Sequence, residues 1–389
     1  MASSPVPAFT IAHALLRTAA KQPSADAYLA KVGGRWQATS WRTFAEQVRT
    51  AARALIQLGL TSGETVAILG FNRPEWVILD HAAMMAGGVV AGIYTTSSRD
   101  EVEYIVEHCE ARVVLVENAA QLAKLDRRRE RLPALQTVVL MRGASTDPGR
   151  GTTDADADAD VITWDELLAL AEAVPESALE ARLAALQPDD LATLIYTSGT
   201  TGPPKGVMLS HANLAFTAQL ICDGGGHAPA DRSISYLPLS HVAEQVTTVH
   251  MPALAGTTVY FAESIEALAV DLASVRPTVF FGVPRVWEKL QAVVAAKLGE
   301  LTGAKARLVH WARGLAALGA APGVQAVIQR RLDEVNASVA RVEQVKKFTV
   351  LPAPFGIATG ELTPTMKIKR SAVASRYAGA IDAMYGEDR

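Results

Sequence analysis

From about Glu64 the chain alternates short apolar runs with stretches whose apolar positions recur every three to four residues. TVAIL (65–69) reads as a buried strand, and PEWVILDHAAMMAG (74–87) as a helix opened by a proline in its first turn. GVVAGIY returns as a strand. SSRDEVEYIVEHC (97–109) carries a serine cap and acids in its first turn, the marks of a helix start. RVVLVEN (112–118) and LQTVVLM (135–141) continue as strands, and TWDELLALAEAV (163–174) as a helix. Strands separated by helices predict an α/β fold: mostly parallel sheets with right-handed crossovers and helices on their faces.

GRGTTDADADADV (149–161) interrupts the pattern. Alternating Asp and Ala has no apolar face in any register, so this segment reads as an exposed loop, and it lacks the glycine turn and bidentate glutamate of an EF-hand. Alternation resumes at LATLIYTS (191–198) and runs to TVFFGVP (278–284). From Arg285 to about Val345 the pattern is almost wholly helical. A short strand, KKFTVL, leads into the loop PAPFGIATGELTPTMKIKR and a last helix, SAVASRYAGAIDAMY. GAAPG (319–323), small residues around a proline and a glycine, marks the expected boundary between a domain over 1–318 and a second over 319–389.

A length of 389 residues suits two domains, and 49% hydrophobic with 20% charged residues is a globular balance that excludes disorder or a fibre. Thirty-seven basic against 40 acidic residues leave a net charge of −3, which gives no reason to expect nucleic acid as a partner. Cys109 and Cys222 stand far apart without a CxxC pattern, against a disulfide framework or structural zinc and in keeping with a reducing cytoplasm. The first twenty residues have no Lys or Arg before Arg17 and no clean apolar run, a poor secretory signal. The longest apolar stretch, Ala82 to Ile93, holds three glycines and falls short of the roughly 20 residues a membrane-spanning helix needs. A soluble cytoplasmic protein is expected, with a peripheral contact at the inner membrane face left open. No feature sets an oligomeric state.

One stretch carries chemistry: LIYTSGTTGPPKGVMLSH (194–211). Thr197, Ser198, Gly199, Thr200, Thr201 and Gly202 form a hexapeptide of hydroxyls and glycines alone. The glycines permit positive φ and close backbone approach, and successive turn conformations aim N–H groups into a nest for an anion. Lys205 adds a full positive charge, so the loop suits a polyphosphate better than a plain surface turn does. It is not a Walker A loop: Lys205 lies between Pro204 and Gly206, and the apolar strand VML (207–209) intervenes before a Ser210-capped helix. The loop is therefore expected between two strands.

YTSGTTGPPKGVMLSH resembles the signature of the adenylate-forming (AMP-binding) enzymes, which include acyl-CoA synthetases, luciferases and nonribosomal-peptide adenylation domains. GETVAILGFNRPEWVILDHAAMMAGGVVAGIY is similar to that family's early βαβ segment, and SYLPLSHVAEQ (235–245) to its substrate-side strand and histidine loop. FFGVPRVWEKL (280–290) and EQVKKFTVLPAPFGIATGELTPTMKIKR (343–370) are most like the long-chain fatty acyl-CoA synthetase branch. The resemblance implies a fold, an N-terminal AMP-binding domain with its phosphate loop at 196–206 and a small C-terminal α+β remnant with a lysine loop at 356–370. It also implies a reaction: fatty acid and ATP give acyl-adenylate and pyrophosphate, then CoA displaces AMP. By the same resemblance the 197–205 loop holds the ATP phosphates, Thr197 touches Mg²⁺, and His241 lies beside the carboxylate and α-phosphate. Lys367 matches the family's C-terminal lysine, which bridges those two groups.

The departures from the family pattern are as specific as the matches. The Tyr-Gly-x-Thr-Glu segment, the Thr-Gly-Asp and the Gly-Arg-x-Lys hinge that the family places between its two ends are missing. The chain passes from helices near Trp311 to the end of a C-terminal domain, as if a large internal block were deleted. Impaired activity is the expectation, and the alternative is a catalytically dead remnant that binds nucleotide, acyl chain or a protein partner.

Overall fold

The computed structural model describes residues 9–126, 130–143, 159–197, 203–225 and 227–283; beyond 283 it describes short stretches, chiefly 286–288, 329–330, 332–333, 359–361 and 370–385. The chain divides into two units, residues 4–280 and residues from 281 onward. The boundary expected at 318/319 lies outside the described residues.

The first unit runs α1 (Ile11–Lys21), β1 (Asp26–Val32), β2 (Arg35–Ser40), α2 (Trp41–Gln57), β3 (Thr65–Leu69), α3 (Pro74–Met85), β4 (Val89–Ile93), α4 (Arg99–His108) and β5 (Ala111–Val116). It continues with α5 (Ala119–Leu122), β6 (Thr137–Leu140), β7 (Asp160–Thr163), α6 (Trp164–Ala169), α7 (Glu176–Ala185), β8 (Leu191–Thr197), β9 (Lys205–Ser210) and α8 (His211–Gly225). The last elements of the unit are β10 (Arg232–Ser235), α9 (Val242–Gln245), α10 (Met251–Ala255), β11 (Thr258–Phe261) and α11 (Leu268–Val275).

Among the described residues a seven-stranded sheet has the order β7-β6-β5-β3-β4-β8-β9, all parallel except β9, which is antiparallel to β8. Its central strands are apolar without alternation because helices cover both faces; every residue of β3 and β4 is buried. One face packs on α1, α2 and α3, the other on α4 and the segment after it. Eleven of the twelve residues of α3 are buried, Pro74 excepted, so the helix shows no polar stripe. A four-stranded sheet, β10-β11-β1-β2, joins chain segments more than 200 residues apart, with Tyr28 beside Val259.

Local signals act where the pattern placed them. Ser98 and Glu101 form a reciprocal capping box on α4, as Thr163 and Glu166 do on α6, each cap worth about 1 kcal/mol. The Thr163 N–H and hydroxyl also hold the Glu166 carboxyl below its ordinary range.

Three boundaries differ from expectation. Asp160 and Val161, read as loop, begin β7, which pairs with the free edge of β6. Backbone pairing supplies what the Asp-Ala pattern lacks, and Val161 and Ile162 are half-buried. TVFFGVP is not a strand over its described residues: Thr278 and Val279 each donate an N–H to the Arg232 carbonyl and the pairing stops there. The expected last helix is two helices, α12 (Arg370–Arg376) and α13 (Ala378–Tyr385), separated at Tyr377. Within this second unit Glu361 is buried, accepts from the Tyr377 hydroxyl (3.3 Å) and pairs with Arg376 (2.9 Å). Among the described residues no helix is long and apolar enough to cross a membrane.

Candidate functional site

The phosphate-loop motif sits on a hairpin. β8 lies in the sheet beside β4, fastened by the Thr193 hydroxyl to the Val90 carbonyl (3.0 Å), and β9 folds back along its other edge. The register sets Thr197 directly across from Lys205, and Tyr196 across from Gly206. A Cβ on Gly206 would stand 3.3 Å from the Tyr196 ring, so glycine lets β9 close over that ring, whose hydroxyl is anchored 2.8 Å from His108 Nδ1. Burial raises the Tyr196 pKa, keeping the phenol neutral. Thr197 and Lys205 are both exposed at the hairpin mouth, and Lys205 has no ion-pair partner among the described residues. Ser198, Gly199, Thr200, Thr201 and Gly202 lie outside the described residues. After β9, the Ser210 hydroxyl accepts the Asn213 N–H (3.3 Å) and caps α8, the strand-then-capped-helix order that excludes a Walker A loop.

His241 caps the single-turn helix α9. Its Nδ1 accepts the Ala243 N–H at 3.2 Å, which leaves Nε2 as the ring's N–H donor on an exposed side chain. The preceding residue places this turn on the sheet: a Cβ on Gly92 of β4 would stand 2.9 Å from Ser240 Cα. Gly92 pairs with Ile195, two residues before Thr197. His241 and the hairpin mouth therefore share the carboxyl end of β4 and β8.

Beneath His241 lies a buried network that the sequence reading did not identify. The Glu244 carboxylate, from a residue 2% exposed, accepts from the Ser235 hydroxyl (2.8 Å), the Thr248 hydroxyl (2.8 Å) and the Tyr236 N–H (3.1 Å). Asn72, after β3, donates to Ser235 Oγ and the Leu237 carbonyl, each at 2.7 Å. Burial pushes the Glu244 pKa up to about 7 despite these donors. The available signal was compositional: Glu244 is the lone Asp, Glu, Lys or Arg between Arg232 and Glu263, and an isolated carboxylate in an apolar stretch needs donors.

Lys367 lies outside the described residues, so the structure brings together Thr197, Lys205 and His241 but not the fourth expected participant. Among the described residues no three His, Cys, Asp or Glu side chains form a metal-binding group.

Residues 15–345 match the model of the AMP-binding enzyme family. The long-chain-fatty-acid–CoA ligase ACSBG2 of Xenopus laevis is 37% identical over 321 residues, covering 80% of this chain and 42% of its own length. The Homo sapiens ligase of the same name is 36% identical over 295 residues, covering 74% and 43%. The chain thus spans about two fifths of the length of these curated relatives. Among solved structures, the A domain of carboxylic acid reductase from Segniliparus rugosus, in complex with AMP and a co-purified carboxylic acid, shares the fold with a TM-score of 0.63 at 23% identity, over 75% of this chain and 51% of that one. A putative long-chain-fatty-acid CoA ligase from Rhodopseudomonas palustris aligns with a TM-score of 0.58 at 20% identity, over 73% and 66%. The chain belongs to the AMP-binding enzyme family.

Proposed function

We propose that this chain is by descent a long-chain fatty acid–CoA ligase, forming an acyl-adenylate from fatty acid and ATP and then a thioester with CoA, and that it does so poorly. The observation that carries the first half is the hairpin mouth, with Thr197 and Lys205, exposed and without an ion-pair partner among the described residues, across from each other beside the His241 turn. Lys205 attracts the nucleotide polyphosphate, and the hydroxyls and N–H groups of 197–202 cradle it. The His241 Nε2–H donates to the fatty carboxylate or α-phosphate. Lys367 follows those two groups as charge builds between them, and CoA sulfur then displaces AMP. Mg²⁺, when bound, neutralises phosphate charge. Thr197 offers it one exposed hydroxyl, so it would be held mainly by the nucleotide. The chain would work in the cytoplasm, taking its fatty acid at a membrane surface.

The second half rests on the residues absent from the sequence. Without Tyr-Gly-x-Thr-Glu, Thr-Gly-Asp and the hinge, no residue with the family's pattern grips ribose or adenine or completes the magnesium site. Each lost contact to developing charge costs roughly 3 kcal/mol, and every ~1.4 kcal/mol is tenfold in rate. These losses equally favour a second reading, a remnant that binds nucleotide or acyl chain without turnover. Palmitate-dependent ATP–pyrophosphate exchange and palmitoyl-CoA formation by the 389-residue protein test both. Slow, palmitate-dependent exchange supports the ligase; nucleotide binding without exchange supports the remnant. Rates within about tenfold of an intact synthetase would reject the impairment.

A further inference from the structure

The backbone holds the hairpin mouth weakly. β8 pairs with β4 only as far as Ile195, so Tyr196 and Thr197 run past that ladder with β9 as their strand partner among the described residues. β9 is there the edge of the sheet, and none of its six residues is fully buried. Strand ends with so little burial open locally at small cost. A side chain supplies what the ladder lacks.

Tyr196 is 4% exposed, and its ring lies under Gly206 in the apolar cluster that α4 shares. A buried phenol takes a polar partner, and this one has His108 Nδ1 at 2.8 Å. His108 stands in the last turn of α4. Its ring leans on that of Tyr104 one turn earlier, with centroids 5.3 Å apart and planes at 33°. The Cys109 thiol reaches the same hydroxyl. α4 is itself fixed at both levels, by its capping box and by the burial of Val102, Ile105 and Val106. The Tyr196 hydroxyl therefore links a helix packed into the core to the residue next to Thr197. His108 is exposed, so replacing it opens no cavity in that core.

Resting on the reading of the hairpin as a nucleotide phosphate site, we propose that His108 is a positioning residue for it. Through the Tyr196 hydroxyl it holds the hairpin mouth against α4 and keeps Thr197 and Lys205 in the arrangement that receives the phosphates. It acts on the nucleotide only through Tyr196. One such hydrogen bond biases an equilibrium by about two- to tenfold, and apparent affinity falls by the fraction of the binding-competent form that is lost.

The test joins two measurements on the 389-residue protein: calorimetric titration with ATP and Mg²⁺, and hydrogen exchange of ligand-free peptides from 193–210 read by mass spectrometry. His108→Ala and Tyr196→Phe should each speed exchange in the hairpin about two- to tenfold, leave β3 and β4 unchanged, and weaken ATP binding by a similar factor. The double variant should be no worse than Tyr196→Phe alone, because both changes break one link. His108→Asn offers an oxygen or an N–H where Nδ1 stands and should restore both readouts, which a role confined to ring packing would not allow. Unchanged hairpin exchange in both single variants, additive losses in the double variant, no rescue by Asn, or faster exchange with ATP affinity unmoved would overturn the proposal. If the unmodified chain binds no ATP, the nucleotide reading of the hairpin fails, and the exchange measurements alone decide whether His108 anchors it.

Discussion

Asn72 and Glu244 stand 172 residues apart in the chain and 3.3 Å apart in the fold, joined through the Ser235 hydroxyl that accepts from one and donates to the other. Removing the carboxylate strands several buried donors at once. Glu244→Ala should therefore cost about 3 kcal/mol of unfolding free energy, while Glu244→Gln, which keeps an acceptor oxygen, should cost about 1 kcal/mol. Urea midpoints of the two variants check this, and equal losses would mean that the network contributes little beyond side-chain volume.

Stability should fall on acidification below about pH 6.5. Burial lowers the pKa of His81 and His250 to about 3 and that of His211 to about 4, with nearby histidines adding to the effect on His81 and His250. Between those values and 6.5 the unfolded chain binds protons that the folded chain refuses, so this stability is present above 6.5 and lost as pH falls. Glu244, pushed up to about 7, and Asp80, raised well above the carboxylate range by burial, act with the opposite sign: their contribution is full at low pH and lost as pH rises. Three protons against two leave a net slope on the order of 1 kcal/mol per pH unit between about 4.5 and 6.5. Urea midpoints at pH 5 and 6.5 measure it, and His250→Leu should flatten it.

Gly92→Ala should displace the His241 turn. The added methyl would meet Ser240 Cα at 2.9 Å and the Trp76 ring at 3.3 Å, and backbone rather than a flexible side chain would have to yield. The expected loss is about 1–3 kcal/mol. A shift of the His241 ring resonances with those of His81 and His250 unmoved would localise the effect.

If exchange activity is present, Lys367→Ala should reduce it by about 10²–10³-fold, the usual effect of losing one preorganised charge at a developing oxyanion. An unchanged pyrophosphate-exchange rate would reject the role proposed for Lys367.

The protein should self-associate through β9. Among the described residues that strand is the sheet's edge; Val207 and Met208 on it are 45% and 67% exposed, and Leu220 on the following helix is 61% exposed. Such an edge pairs readily with another chain, and a charge on it opposes pairing. Met208→Lys should lower the weight-average mass seen by sedimentation, whereas a monodisperse unmodified monomer would contradict the expectation.

The strands with apolar residues on both faces, β3, β4 and β5, were legible because continuous hydrophobicity and flanking helix signals agree. The four-stranded sheet was not. β2 (RWQATS) is largely exposed, β10 (RSIS) is four residues long, and β1 finds β11 only across more than two hundred residues. The hairpin motif was legible in composition alone, since hydroxyls, glycines and a lysine rarely gather otherwise. Asn72 was not, because an asparagine before Arg-Pro reads as a turn residue until its amide is seen reaching Ser235 and Leu237.

The pairing of β1 with β11 sets an order of events during synthesis. The seven-stranded sheet draws all its strands from residues 65–210 and can assemble once the hairpin has left the ribosome. β1 and β2, made first, must wait for Val259 and Tyr260 before their sheet can close. An isolated hairpin is marginal in water, so this opening segment spends the longest time unprotected. Nascent chains arrested before residue 258 should therefore be cut by protease within 26–40 while the buried strands β3, β4 and β5 resist, which makes the earlier-made strands β1 and β2 later to become native.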